Sequence, residues 1–269
     1  DLPADTEYLL TSIRGTESNG RRQDPDLSNV EQALRGMGLR SSTIAMEEGG
    51  EASLLDFIHD GSFDLVVDLR ERPRASVLQL VQPSSPLAQS IDSTLLLAHP
   101  APEKLERILL CSGGEATSEL TIREAGRLLR YTDAEIHVLH VMSQVPLDVA
   151  HPNEDLEVHA EAAMEQETRE GRHLKRGEHW LRNAGITADI VPVIRHGLVV
   201  DEIMAELEEG LYDMVVVGAH QRTKSRIMNL LLEDITDKLI TRVEVPLLIA
   251  RIHPEEHTAL PGDGITPQA

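Results

Sequence analysis

Arg107-Ile108-Leu109-Leu110-Cys111-Ser112-Gly113-Gly114 is the stretch that decides the fold. A short apolar run closed by two glycines reads as a buried strand entering a tight turn. Outward from it the periodicity changes. Leu120, Ile122, Ala125, Leu128 and Leu129 fall largely on one stripe of a helix over Ser118–Arg130, and Glu135–Met142 returns to strand, with Ile136, Val138, Leu139 and Val141 as its apolar residues. A long acidic helix is then expected over roughly Asp155–Ala184, capped by Gly185. Strand Ala188–Ile194, helix Val199–Glu209 stopped by Gly210, strand Met214–Gly218, helix Glu233–Val243 and strand Pro246–Arg251 complete the pattern. Strands alternating with helices imply parallel pairing through right-handed crossovers. The expectation is an open five-stranded α/β sheet with helices on both faces.

The same stretch has an echo. Glu7-Tyr8-Leu9-Leu10-Thr11-Ser12-Ile13 resembles Glu106–Ser112, Gly61–Val67 resembles Gly210–Val216, and Thr94–Ala98 resembles Pro246–Ala250, in the same order. The displacements are 99 residues from Glu7 to Glu106, 149 from Phe63 to Tyr212 and 152 from Thr94 to Pro246. The first copy therefore lacks about 50 residues after its first strand, and the ends keep step again. Two diverged copies follow: a degraded one over residues 1–100 and a complete one over 101–252, with 253–269 as a flexible tail containing three Pro and two Gly. In the first copy Tyr8–Ile13 is a strand, Gly15–Asp26 a loop, and Ser28-Asn29 cap a helix ending near Gly36 or Gly38. A four-stranded remnant is expected, missing the first helix, the second strand and much of the next helix. The fold class is thus α/β, with two open, mostly parallel sheets in tandem.

Composition excludes several functions. With 25 Lys+Arg against 46 Asp+Glu, the formal charge is −21, and aromatics number one Trp, three Tyr and two Phe. Such a chain has neither the positive field nor the stacking surfaces for nucleic acid. Its single cysteine, Cys111, can form neither an internal disulfide nor a thiolate metal cluster. No apolar run is long enough for membrane insertion and no signal peptide is recognisable, so a soluble cytoplasmic protein is expected. The chain opens Asp1-Leu2-Pro3 without Met, and excision from a longer protein is one reading of that.

Five pieces in order carry a family resemblance: Ile108–Gly114; Ile136–Val141; Arg195-His196-Gly197 before a helix; Tyr212–Gly218; and Val245–Ile249. The C-terminal copy resembles the universal stress protein family, and the whole chain resembles its tandem members, which implies a Rossmann-like fold. Family members that bind ATP resemble one another in a motif after the fourth strand: Gly, two residues, Gly, nine residues, then Gly-Ser or Gly-Thr. Glycines let backbone amides approach phosphate oxygens. Here Gly218 holds the first position, but Gln221 stands at the second, and the third falls on Leu231-Leu232 or Glu233-Asp234. Two carboxylates there would oppose a polyphosphate by roughly 4 kcal/mol per contact, at ~4 Å and an effective dielectric near 20. Arg222, Lys224 and Arg226 compensate only as mobile point charges. Binders also carry an acidic residue in the first strand-to-helix turn, where this chain has Ser112-Gly113-Gly114. In the first copy the corresponding later loop, Asp68–Pro73, has no glycine at all. Ser112, Gly113, Gly114, Val141 and Gly218 are therefore the candidate residues of a vestigial nucleotide site. No cofactor is expected, and ATP or AMP is the alternative.

The remaining features favour structural roles. Ser112-Gly113-Gly114 is either an anion-binding turn or simply a tight entry into a helix. Cys111 suits a buried strand. His137 and His140, three apart on a strand, point to opposite faces, and neither His151 with His159 nor His173 with His179 has a chelating spacing. No metal site is expected. Asp148, Glu154, Asp155, Glu157, Glu161, Glu165, Glu167 and Glu170 form a solvated acidic face, with divalent cations or a basic partner as the sharper reading. No nucleophile, base and acid occur in a recognisable order, so no catalytic residues are assigned and the chain is read as a non-enzyme.

The last strand of each copy, Thr94–Ala98 and Val245–Arg251, is aliphatic and would leave an exposed sheet edge. In the family, last strands pair antiparallel between domains, and here the two are expected to pair within the chain. Apolar surface uncovered on the degraded copy, which also lacks a floor for an adenine, predicts a homodimer. The function expected is a stress-response or regulatory role through association with an unknown protein partner. A nucleotide-binding member with a non-standard phosphate loop, and a cytoplasmic regulatory module of a larger membrane protein, are the alternatives.

Overall fold

The computed structural model describes residues 7–13, 15–16, 22–23, 28–36, 40–46, 50–61, 63–69, 86–98, 104–113, 116–142, 160–165, 168–218 and 235–251. They belong to two compact units, Asp1–Phe63 and Asp64–Ala269. The expected tail, the loop after Gly218 and the acidic segment before residue 160 lie outside the described residues.

The first unit contains β1 (Glu7–Ile13), β2 (Gly15–Thr16), β3 (Arg22–Gln23), α1 (Ser28–Gly36), β4 (Arg40–Met46) and α2 (Gly50–Gly61). β1 and β4 pair in parallel from Glu7↔Arg40 to Ile13↔Met46, and α1 lies between them in sequence, as a parallel pair needs a crossover. β2 and β3 form a two-residue antiparallel ladder within the stretch expected as a plain loop.

The second unit contains β5 (Leu65–Leu69), α3 (Pro86–Ser90), β6 (Thr94–Ala98), β7 (Arg107–Ser112), α4 (Ala116–Leu129), β8 (Glu135–Met142), α5 (Ala160–Glu165), α6 (Arg169–Asn183), β9 (Ile190–His196), α7 (Val199–Gly210), β10 (Met214–Gly218), α8 (235–242) and β11 (Leu247–Ala250). Its strands form one seven-stranded sheet in the order β5-β6-β11-β10-β7-β8-β9. Every neighbouring pair is parallel except β6·β11, which is antiparallel through Leu97↔Leu247, Leu96↔Leu248 and Leu95↔Ile249. That seam is the intrachain pairing of the two aliphatic terminal strands. The Thr94 hydroxyl extends it, donating to the Arg251 carbonyl at 3.2 Å and accepting the Arg251 N–H at 3.1 Å. The two sheets expected are joined here: β5 and β6 extend the five-stranded sheet of residues 107–250, while β1 and β4 form a sheet of their own. Covering the aliphatic edge of β11 is the physical reason, because Leu95, Leu97, Leu247 and Ile249 are all buried at the seam.

With so few aromatics the core is aliphatic. Ile108, Leu110, Ile136, Val138 and Val216 from one face of the sheet pack with Ile122, Ala125, Leu174 and Leu181, brought by α4 and α6. α6 approaches closely because Gly177 leaves the methyls of Ile122 and Val138 within 3.4 and 3.7 Å of where its own Cβ would stand. The long helix expected over Asp155–Ala184 is broken, with α5 ending at Glu165 and α6 starting at Arg169. Thr168 is the cause: its hydroxyl accepts the Gly171 N–H at 3.0 Å and starts a new helix. At the other end Gly185, at φ +94, closes a Schellman motif, with Ile186 N–H on the Leu181 carbonyl and Gly185 N–H on the Arg182 carbonyl.

Helix α7 ends at Gly210, but the left-handed residue is Leu211, at φ 53 and ψ 56. Gly210 serves a different need, since a Cβ there would run into the Tyr212 ring. Leu211 is 81% exposed, so its side chain gains little from burial while its backbone is strained. Leu211→Gly is therefore expected to stabilise the protein by about 0.5–1 kcal/mol, net of the added unfolded-state entropy. Urea denaturation with an unchanged slope checks it, and a destabilised variant would contradict the assignment of strain.

Candidate functional site

Open parallel sheets place ligand sites at the carboxyl ends of strands, where the winding reverses. In the order β11-β10-β7-β8-β9 that point lies between β7 and β10. The register Leu110↔Val216 brings Ser112 and Gly218, two residues on, side by side at the ends of these strands. Both point to the face covered by α4 and α6, as Leu110 and Val216 do.

Each has a partner inside the fold. A Cβ on Gly218 would stand 2.6 Å from Thr121 Cγ2 and 3.0 Å from its Cβ, so the glycine lets the buried Thr121 of α4 sit against the strand end. Ser112 is buried, and its hydroxyl is hydrogen-bonded to His173 Nε2 of α6. Its carbonyl accepts from His140 Nδ1 of β8 at 3.3 Å. The two imidazole rings lie 5.0 Å apart. Burial pushes His173 down to about 4, helped by the neighbouring His140 and Arg176 and opposed by Glu170. His140 is lowered too, first by burial, and partly restored by its bond to the Ser112 carbonyl. Neutral pH thus finds both rings uncharged.

The other candidates are more dispersed. Gly113 is exposed beside Ser112, and Gly114 lies outside the described residues. Val141 is half-buried at the end of β8, in register with Arg195. Strand alternation turns its side chain to the face opposite Ser112 and His140. Cys111 faces that side as well, and its thiol is pushed up to about 12 by burial and then by the Glu206 carboxylate, which leaves no thiolate at neutral pH.

On this second face Arg195 meets three carboxylates of α7: Glu202 at 3.0 Å, Glu206 at 2.7 Å and Glu209 at 3.0 Å. They hold its guanidinium firmly charged. Glu206 also accepts from the Tyr212 hydroxyl at 2.5 Å, and that hydroxyl meets His137 Nδ1 at 2.8 Å. His137 and His140 diverge to opposite faces, as their spacing predicts. The Arg195-His196-Gly197 segment has a packing explanation, because a Cβ on Gly197 would run into the Glu202 carboxylate.

Sequence reasoning missed the meeting of Ser112, His140 and His173. The signal was present: His140 shares the even-numbered, core-facing side of β8 with Ile136 and Val138, and His173 lies on the buried stripe of α6 with Leu174, Gly177 and Leu181. Histidines compared only with near neighbours in the chain conceal a pair 33 positions apart.

The chain matches the universal stress protein family over residues 104–251, more than half of its length. No curated protein matches it. Among solved structures, a universal stress protein from Archaeoglobus fulgidus is similar at 15% identity and a TM-score of 0.56, over 86% of this chain and 76% of that one. A functionally unknown protein from Pseudomonas aeruginosa is similar at 15% identity and a TM-score of 0.57, over 91% of this chain and 81% of that one. At such identity the likeness shows the fold alone. Among the described residues, no helix is long and apolar enough to cross a membrane. The family match runs from the threshold of β7 through the end of β11, the five strands whose winding reverses beside Ser112, and on that match the chain belongs to the universal stress protein family.

Proposed function

We propose that this is a tandem universal stress protein with a degraded N-terminal copy, acting through protein association without binding ATP. The observation that carries the second part is Ser112: this polar group at the switch point is buried and bonded at both its hydroxyl and its carbonyl. Gly218 adds to it, being accounted for by Thr121 rather than by a phosphate. A loop carrying Gln221 and Glu233-Asp234 where binders carry glycines agrees in chemistry.

The tandem reading is supported by details the two halves share. Helices α2 and α7 both end on a glycine overlaid by an aromatic two residues later, Phe63 on Gly61 and Tyr212 on Gly210. Strands β5 and β10 follow at the same spacing, and each pairs in parallel with the last strand of its half, Val66↔Leu95 and Val215↔Leu247. Helix α2 follows β4 after three residues and α7 follows β9 after two, so β4 corresponds to the third strand of the complete copy, paired directly with the first and with no second parallel strand beside them among the described residues.

Calorimetric titration with ATP and AMP tests the proposal. No heat at millimolar nucleotide is expected, and a micromolar dissociation constant would overturn it. Association with a second copy is part of the same reading. Val67 and Leu69, on one side of β5, are 49% and 68% exposed, and among the described residues β5 has the single strand partner β6. Light scattering at micromolar concentration is expected to give a dimer, and a monodisperse monomer would contradict it.

A further inference from the structure

We propose that His140 and His173 form an acid-operated latch: as neutral rings they hold α6 against the carboxyl ends of β7 and β8, and when protonated they release α6 and free Ser112 at the switch point. The geometry is a three-element clasp. His173 on α6 takes the Ser112 hydroxyl, His140 on β8 takes the Ser112 carbonyl, and the two rings are 5.0 Å apart. His173 is buried at 4% exposure. A proton added to either ring places a cation beside the other, and a proton on His173 also removes charge from water.

The surroundings do not accommodate that charge. α6 contributes one carboxylate, Glu170, against the guanidiniums of Arg169 and Arg176. β9 contributes His196, a further basic group, whose buried Nε2 has no hydrogen-bond partner among the described residues. β7 offers only the neutral Ser112. α4 meets α6 through Ile122 and Gly126, and α5 carries two acids, Glu161 and Glu165, of which Glu165 is exposed. The sign follows from the depressed values. The neutral rings favour the folded state fully above the ordinary imidazole range near pH 6.5, and this contribution is lost as pH falls from there toward about 4, the value for His173. The latch is separate from the nucleotide question and stands or falls without it.

Amide hydrogen exchange on the full chain, corrected for intrinsic rates, reads the release. Exchange in residues 169–183 is expected to rise at least roughly tenfold between pH 7 and pH 4.5 while β7, β8 and β10 stay protected. In the double variant His140→Gln/His173→Gln, whose amides can bond Ser112 but not charge, α6 is expected to stay closed over this range. An equal rise in every element, or the same α6 opening in the double variant, would overturn the latch. Should the double variant fail to fold, NMR titration of the native imidazole Cε1–H signals decides. Midpoints well below 6.5 that coincide with α6 opening support it, and ordinary midpoints with α6 unchanged overturn it.

Discussion

Leu95→Ala is expected to destabilise the protein by about 3 kcal/mol, lowering the melting temperature by roughly 6–12 °C. Leu95 is fully buried in β6, opposite Ile249 across the antiparallel seam and beside Val66 of β5. Removing it leaves a cavity where three strands meet, which neighbouring rigid strands cannot collapse to fill. The contrast is Val67→Ala on β5, where the side chain is 49% exposed and the expected cost is about 0.5–1 kcal/mol. Denaturant unfolding of both variants gives the comparison. A loss below about 1 kcal/mol for Leu95→Ala would mean that the seam is not part of the core.

Gly218→Ala carries the second large effect, about 2–3 kcal/mol, because the new methyl would collide with the Thr121 side chain. Thr121 is buried and β-branched in the middle of α4, so it cannot rotate away without strain. The pair Gly218→Ala/Thr121→Ala is expected to recover part of the loss, since Cγ2 and Oγ1 vanish while the residue 121 Cβ remains 3.0 Å away. A harmless Gly218→Ala would leave the glycine without its packing explanation and return it to the phosphate reading. This cycle therefore tests stability and function at once.

How far the sequence was legible depended on whether the information was local. The strand β8 over Glu135–Met142 and β10 over Met214–Gly218 are found where the pattern places them, because an apolar run ended by turn residues needs no distant partner to be recognised. The seam was legible for a related reason: two aliphatic strands ending two similar halves each require an edge partner. Helix α6 was legible at its end through Gly185 but not at its start, because Thr168 reads as helix interior until its hydroxyl is seen on Gly171. Leu211 shows the opposite error, where the glycine before it drew the attention that the left-handed leucine deserved. Strand β4 carries Ser41, Ser42 and Thr43 with few apolar residues, too weak a pattern to stand out without its partner β1. At the candidate site Ser112 and Gly218 were both singled out, yet their neighbours were not. The bond to His173 and the contact with Thr121 join residues far apart in the chain, and only the crossover geometry of an α/β sheet brings them together.

On the proposed function, the crevice between β7 and β10 takes no nucleotide. Native mass spectrometry of the freshly purified protein, before and after addition of millimolar ATP, tests this most directly. The expected result in both spectra is the mass of the polypeptide or its dimer, with no added nucleotide. An adenine nucleotide carried through purification, or one bound stoichiometrically on addition, would contradict it and return Ser112 and Gly218 to a working site.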